Sequence, residues 1–230
     1  MRAGFQTLQR SHCTSKPTEP QRPTPDALDL LEQFGSADSV QRGCEIYGQG
    51  ESAEFCWKIL AGCVRIMKIM EDGRRQVSEF LWPGDFLGLD DLDIHDFNAE
   101  AVTDVALRRY PRRMVDALAQ SHTALSAGLR AMTVAKLRCA HGQMILLGRK
   151  SATEKVVSFL MGMDRRSTPT DGRPLDLPMS RTDMANYLGL IIETVCRMLA
   201  HLRRDSVVLV SPTGIELRDR PALFKSVGLA

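Results

Sequence analysis

The sequence predicts an α+β fold, with β-structure in its N-terminal half and helices in its C-terminal half. Three observations predict it. Glycines separate short β-branched and aromatic segments between residues 43 and 88, apolar residues recur with a helical period from about 123 to 148, and residues 181–200 have the spacing of two crossed helices. A chain of 230 residues is long enough for two modest domains, each with its own core.

The N-terminal residues 1–25 are predicted to form a flexible arm. Residues 14–25 are rich in proline and threonine, and residues 1–16 carry three basic residues without an acid, as transit peptides do. They lack apolar periodicity, so we expect a disordered tail. Because the chain shows no secretory signal and no apolar run of about 20 residues, we expect a cytoplasmic protein with no membrane partner.

Residues 26–121 are predicted to form a small β-roll, preceded by a short helix over 26–34. The regular glycine turns favour antiparallel strands. Asp72-Gly73 has the sequence of a tight hairpin turn between two of them. The predicted strands of this region cover residues 63–70, 75–81 and 100–109.

Residues 122–149 are predicted to form one long helix that mediates dimerisation. A helix from about 123 to 148 would be about 39 Å long at 1.5 Å per residue. Its apolar face, in a broken 4-3 spacing, favours a partner helix, although a helix lying on its own β-roll would show the same pattern. The predicted dimer interface comprises Leu125, Leu129, Met132, Lys136, Cys139, Gln143 and Leu146.

Residues 150–230 are predicted to form a winged helix. Ser151 with Glu154, and Ser180 with Asp183, have capping-box spacing at two helix starts. Gly189 suits a tight turn between two crossed helices. The predicted inward residues of this helix-turn-helix are Met184, Ala185, Leu188, Leu190, Val195 and Met198, and a hairpin over 207–217 would supply the wing.

The second of these helices is predicted to enter a DNA major groove. A carboxylate can accept a hydrogen bond from cytosine N4, and a guanidinium can bind guanine O6 and N7. The predicted base contacts are Glu193, Thr194, Cys196 and Arg197, and the predicted backbone contacts are Ser180, Arg181, Arg203 and Arg204. The alternative is an amphipathic helix pair with a solvated charged face.

Composition excludes several other classes. The formal net charge is only +2, so DNA affinity requires a focused patch, doubled by dimerisation. Six cysteines without a C-x-x-C pair argue against a zinc finger or a cluster, and we expect mostly small buried thiols. Without a catalytic triad or phosphate-binding loop, we expect no enzyme, metal or cofactor.

Several motifs resemble the CRP/FNR superfamily of bacterial transcription regulators over residues 35–220. Gly84-Asp85-x-x-Gly88 matches the family's β-roll turn. Residues 144–147 (MILL), 177–181 (LPMSR) and 186–197 resemble the FNR branch, and the scattered cysteines resemble its FixK type. The resemblance implies a β-roll like a cyclic-nucleotide-binding domain, a long dimer helix and a winged helix-turn-helix.

The resemblance also implies a function. A homodimer would bind a TTGAT-N4-ATCAA palindrome and activate transcription by contacting RNA polymerase, in control of microaerobic and nitrogen-fixation genes. Glu193 and Arg197 match the residues that read the half-site's G·C pair. Leu89 and Asn98-Ala99 replace the acid and the Arg-Ser pair of cyclic-nucleotide pockets, so we expect no cyclic nucleotide. Cys13 alone cannot supply the N-terminal ligands of an iron–sulfur cluster.

An alternative is a regulator of the same superfamily whose β-roll binds a small effector or whose Cys196 senses oxidants. Cys196 stands where the branch usually has serine, and it would equally serve as an unreactive substitute for it. His95-Asp96 is interpreted as part of a surface loop rather than a metal pair. The acidic residues Asp90, Asp91, Asp93 and Asp96 are interpreted as a solvated loop that would repel phosphate, with weak attraction of a cation as the alternative.

Overall fold

The computed structural model describes residues 25–89, 93–166, 175, 177–211 and 214–226. The predicted N-terminal arm lies outside these residues, apart from residue 25, and so does Cys13. The N-terminal β-roll is formed as predicted, and its strands are β1 (Ser36–Val40), β2 (Glu45–Tyr47), β3 (Phe55–Ala61), β4 (Val64–Ile69), β5 (Arg75–Leu81), β6 (Phe86–Leu87), β7 (Asn98–Ala101) and β8 (Val105–Pro111). They form two antiparallel sheets of four strands, with the orders β1-β8-β3-β6 and β2-β7-β4-β5.

The hairpin predicted at Asp72-Gly73 is confirmed. Strand β4 pairs antiparallel with β5, and Gly73 has φ +80°, a conformation that residues with a side chain rarely adopt. The single strand predicted over 100–109 is wrong, because the chain changes sheets there. β7 pairs with β4, β8 pairs with β1 and β3, and Thr103 between them accepts a hydrogen bond from the Cys63 N–H at 3.0 Å.

Seven helices and a hairpin complete the described fold. The long helix and the winged helix predicted from the sequence are both present. They comprise α1 (Pro25–Glu32), α2 (Arg112–Ser121), α3 (Thr123–Arg149), α4 (Ala152–Arg166), α5 (Arg181–Leu188), α6 (Ile192–Arg204), β9 (Val208–Ser211), β10 (Gly214–Leu217) and α7 (Arg220–Ser226). Within the described ranges, no helix is both long and apolar enough to span a membrane.

The largest apolar cluster is continuous between the β-roll and the winged helix. Phe80 of β5 packs with Phe159 of α4 and Tyr187 of α5, with ring centroids 5.4 to 6.3 Å apart. The cores are therefore joined rather than separate, because α4 and α5 bury apolar faces against the sheet as well as against each other. The boundaries at 26–121, 122–149 and 150–230 stay predictions.

Candidate nucleic-acid interface

The helix-turn-helix consists of α5, a tight turn and α6. Ser180 begins α5 with a complete capping box, in which Asp183 N–H donates to the Ser180 hydroxyl and the Asp183 carboxylate accepts from Ser180 N–H. Gly189 ends the helix in the left-handed region with φ +59°. A Cβ atom there would also lie 3.2 Å from the Leu147 side chain of α3, so the positive φ favours glycine and the close contact adds to that preference.

Small and apolar side chains hold α5 against α6. Ala185 and Val195 are buried, as close approach of the two helices requires, and Met184 and Leu188 are fully buried beside them. Leu190 and Met198 are only partly buried at the edge of the same cluster. The sequence reasoning missed Leu199 and Leu202, which continue the buried face of α6 at a spacing of three and four and could have been found by that period.

The outward face of α6 carries the four residues predicted to contact bases. Glu193, Cys196 and Arg197 are exposed, and Thr194 is half-buried. Glu193 and Arg197 are four residues apart, so they project from the same side of the helix. Arg197 Nη2 donates to Thr194 Oγ1 at 3.4 Å, which holds the guanidinium along the helix. An acceptor and a forked donor therefore stand together on an open surface.

The four predicted backbone contacts differ among themselves. Arg203 and Arg204 are exposed in the last turn of α6, where the helix dipole favours positive charge. Arg181 is half-buried, and its Nη1 lies 3.3 Å from Met184 Sδ. The Ser180 hydroxyl donates to Asp183 Oδ2 at 2.8 Å and accepts from Asp183 N–H, so it serves the helix cap. Although Ser180 is exposed, its hydroxyl proton is already used within the cap and is not free for a phosphate.

Most of the residues predicted to form the dimer seam on α3 make contacts within the same chain, and their role in a dimer stays a prediction. Leu125 and Leu146 are buried within the chain, Leu129 and Met132 pack on the β-roll core, and Cys139 is exposed. Lys136 Nζ lies 3.8 Å from Glu79 of β5, and Gln143 Nε2 donates to Tyr187 O at 2.7 Å. Contacts of α3 with its own β-roll and helix-turn-helix therefore account for much of the 4-3 pattern, while Cys139 remains exposed.

A second apolar stripe lies on the opposite side of α3. We call it the outer face, and its members are 46 % to 69 % exposed: Val134, Leu137, Met144 and Ile145. Large aliphatic side chains seldom line an exposed helix at this spacing unless another surface covers them. Sequence reasoning missed the outer face because the inner face has the stronger period.

The interior of the β-roll is packed with its own side chains. His95 is 1 % exposed and stacks on Tyr47 with ring centroids 3.7 Å apart, which corrects its interpretation as a surface-loop residue. Asn98 is also buried, and its Oδ1 accepts from Gln49 N–H at 3.0 Å. By the family resemblance, Asn98 lies near the position at which cyclic-nucleotide pockets carry arginine. In this chain the side-chain amide at that position is hydrogen-bonded within the protein.

The glycine-aspartate turn before this region is formed as its sequence suggests. Gly84 and Gly88 have φ +92° and +75°, and Asp85 Oδ2 accepts from Trp82 N–H at 2.9 Å. Arg112 donates to Gly88 O and Leu89 O at 2.8 and 3.1 Å, which fixes the end of the turn. Of the acidic loop, Asp93 and Asp96 are exposed, whereas Asp90 and Asp91 lie outside the described residues.

The expectation that the cysteines are mostly buried is wrong for the described residues. Cys56 and Cys63 are buried, and burial raises the pKa of both thiols to about 12. Cys44, Cys139 and Cys196 are exposed. Among the residues that the structure describes, no three histidine, cysteine or acidic side chains gather into a group that could hold a metal ion.

Two family models match the two halves of the chain. A cyclic nucleotide-binding domain matches residues 37–122, and a Crp-like helix-turn-helix domain matches residues 154–225. These ranges correspond to the β-roll and to the unit that holds α5, α6 and the wing.

Comparison with known proteins identifies the branch. The chain is 42 % identical over 198 residues to the nitrogen fixation regulation protein FixK of Azorhizobium caulinodans, covering 84 % of this chain and 80 % of the relative. It is 34 % identical over 209 residues to FixK of Bradyrhizobium diazoefficiens, covering 89 % and 88 %. The structure of FixK2 from Bradyrhizobium japonicum superimposes with a TM-score of 0.79 at 39 % identity, covering 83 % and 96 %. The chain belongs to the CRP/FNR family of DNA-binding transcription regulators and is of the FixK type.

Proposed function

We propose that the protein is a homodimeric activator that binds a TTGAT-N4-ATCAA-like palindrome and controls nitrogen-fixation or microaerobic genes. The observation that carries the proposal is the open face of α6, where Glu193 and Arg197 stand exposed and four residues apart. A carboxylate and a guanidinium at that spacing can read the two strands of one G·C pair. Arg203 and Arg204 lie at the end of the same helix, where they can contact phosphates. Relatives named for nitrogen fixation regulation supply the biological setting.

The outer face of α3 supports the proposed dimer. Four exposed aliphatic side chains on one long helix favour a second copy of the same helix, because a twofold interface buries each stripe against itself. A dimer presents two copies of α6, which suits a palindrome. The dimer would act in the cytoplasm and contact RNA polymerase from the bound promoter.

Selection from a random DNA pool tests the sequence preference. Wild-type protein with no added ligand is expected to enrich a twofold-symmetric site whose half-sites resemble TTGAT. Enrichment of an asymmetric sequence, or no enrichment over the starting pool, would contradict the proposal.

Charged substitutions on α3 test the dimer. Leu137→Glu with Ile145→Glu is expected to give a monomer in sedimentation experiments and to weaken palindrome binding at least about 100-fold, because the second half-site no longer adds avidity. Cys139→Glu adds a charge to the same helix away from the outer face and should leave the dimer intact. If Cys139→Glu dissociates the dimer and the double variant does not, the interface lies on the other side of α3.

Cys196 favours a second candidate, an oxidant-sensitive regulator. Its thiol is exposed on the outward face of α6, beside Arg197 in the sequence. Oxidation to a sulfenic acid would enlarge a side chain that lies close to the bases. The buried thiols Cys56 and Cys63 have a raised pKa and should react far more slowly.

Peroxide treatment distinguishes a sensing thiol from a serine substitute. Wild type, Cys196→Ser and the control Cys139→Ser are treated alike and then titrated with DNA. A sensor predicts loss of binding in wild type and Cys139→Ser only. Equal loss in all three places the sensitivity elsewhere, and no loss in any rejects oxidant sensing.

A further inference from the structure

The first helix of the helix-turn-helix is held at its C-terminal end by two glutamines from outside the DNA-binding unit. Gln76 of β5 donates from Nε2 to Asn186 O at 2.6 Å, and Gln143 of α3 donates from Nε2 to Tyr187 O at 2.7 Å. We call Gln76 and Gln143 the glutamine clamp. The other end of α5 is tied as well, since Arg65 Nη1 of β4 lies 2.7 Å from Asp183 Oδ1.

These hydrogen bonds satisfy carbonyl groups at the end of α5 that lack a donor within the helix. The last four carbonyl groups of an α-helix have no intrahelical donor. In α5, Ala185 O accepts from Gly189 N–H and Leu190 N–H, which leaves the next two carbonyls to the glutamine clamp. A hydrogen bond from an amide is directional, so each glutamine fixes the direction of α5 as well as its distance from β5 and α3.

Apolar contacts make the same junction tight. Leu147 of α3 lies within 3.2 Å of the place where a Cβ atom of Gly189 would be. The Tyr187 ring lies 5.5 Å from the ring of Phe80 of β5, measured between centroids. Because α5 packs on α6 through Ala185 and Val195, an orientation imposed on α5 is passed to α6.

In a dimer this junction determines where the two copies of α6 lie. In the proposed dimer the outer face would join the two copies of α3, and on the opposite side of each α3 the glutamine clamp holds the helix-turn-helix. Adding one base pair between half-sites moves them about 3.4 Å apart and rotates them by about 35°. We propose that Gln76 and Gln143 are positioning residues that set the spacer length the protein accepts, a role that rests on the proposed function.

The preference for one spacer length tests the positioning role, because glutamines that only stabilised the fold would not change this preference when replaced. Palindromes with identical half-sites and spacers of three, four, five or six base pairs are titrated with wild type and with Gln76→Met/Gln143→Met. Methionine keeps the chain length and removes the N–H donor. Wild type should bind the site with the four-base-pair spacer at least about 10-fold more tightly than the other sites. In the double variant this affinity ratio should fall to about one-third of the wild-type value or less. Discrimination against a changed base within a half-site should stay the same.

Two further variants control for packing and for chemistry. Gln33→Met removes an exposed amide that donates to Leu30 O of the adjacent helix α1, and it should leave the spacer preference unchanged. Gln143→Lys restores an N–H donor that can reach the last carbonyls of α5, and it should retain most of the preference. If the double variant does not fold, the single Gln143→Met variant decides the result by the same ratio.

The outcomes separate the two proposals. A folded variant that keeps the wild-type spacer ratio overturns the positioning role and leaves the proposed function intact. A wild type that binds all spacers equally, or binds no palindrome, overturns the proposed function itself and the positioning role with it.

Discussion

The interior of the β-roll and the outward face of α6 are built in opposite ways. In the β-roll, His95 and Asn98 are buried, and the protein's own rings and backbone surround them. On α6, Glu193 and Arg197 are exposed. Within the described residues, side chains of the protein fill the interior of the β-roll, whereas the outward face of α6 is open. This contrast underlies two predictions, that the β-roll binds no cyclic nucleotide and that α6 contacts DNA bases.

The largest effect is expected on the open face. Arg197→Ala should weaken binding to the cognate palindrome by about 1–3 kcal/mol and relax the preference at one base pair of each half-site, because a bidentate guanine contact is lost. Fluorescence anisotropy with cognate and single-base-changed sites measures both. Arg75→Ala removes an exposed arginine from β5 and serves as the control. An unchanged ratio of specific to random-site affinity would show that Arg197 is not a base-reading residue.

Removing a buried side chain from the interior of the β-roll should lower the stability of the protein rather than its DNA specificity. His95→Ala removes a buried ring stacked on Tyr47, which we expect to lower the free energy of unfolding by about 1–2 kcal/mol. Urea denaturation measures the change. The neighbouring Ile94 is exposed, so Ile94→Ala should cost less than about 0.5 kcal/mol. If the two variants unfold at the same urea concentration, the interior is not packed as described.

A smaller effect is expected at the end of α6. Arg204→Ala should weaken all DNA sequences alike and reduce the slope of log affinity against log salt by about one, because one phosphate contact is lost. Titrations at several salt concentrations on cognate and random DNA measure this slope. A selective loss on the cognate site would mean that Arg204 touches bases.

The smallest expected effect is that of cyclic nucleotides. Calorimetry with cyclic AMP or cyclic GMP should give no saturable heat, since Leu89 and Asn98 offer no charged partner to ribose or phosphate and such a partner is worth about 1.5–3 kcal/mol. Micromolar binding of either nucleotide that also strengthens DNA binding would show that the β-roll is a cyclic-nucleotide sensor.

The fold was largely predictable because local rules agree with the tertiary structure. The capping boxes at Ser151 and Ser180, the glycine turn at Gly189 and the hairpin at Gly73 each follow from short spacings that leave few alternatives. The prediction of a single strand over 100–109 is wrong because a change of sheet depends on pairing with strands far away in the sequence. The residues at the change, such as Thr103, have no strong turn signature.

The partners of each face were harder to predict than the faces themselves. The periodicity of α3 showed an apolar stripe, but a period does not say whether the stripe meets the same chain or a second copy. Gln143 illustrates the limit, since its position on the stripe was predicted and its hydrogen bond to Tyr187 O was not. His95 was misplaced for the same reason, because stacking on Tyr47 is a contact between residues far apart in sequence.

Titration of the palindrome with ligand-free protein tests the central claim most directly. Purified protein, shown by mass spectrometry to carry no small molecule, is titrated against a TTGAT-N4-ATCAA site and a scrambled site at one salt concentration. We predict at least about 1000-fold stronger binding to the palindrome, as specific regulators show. Equal affinity for both sites, or a preference that arises only when an effector is added, would contradict the account.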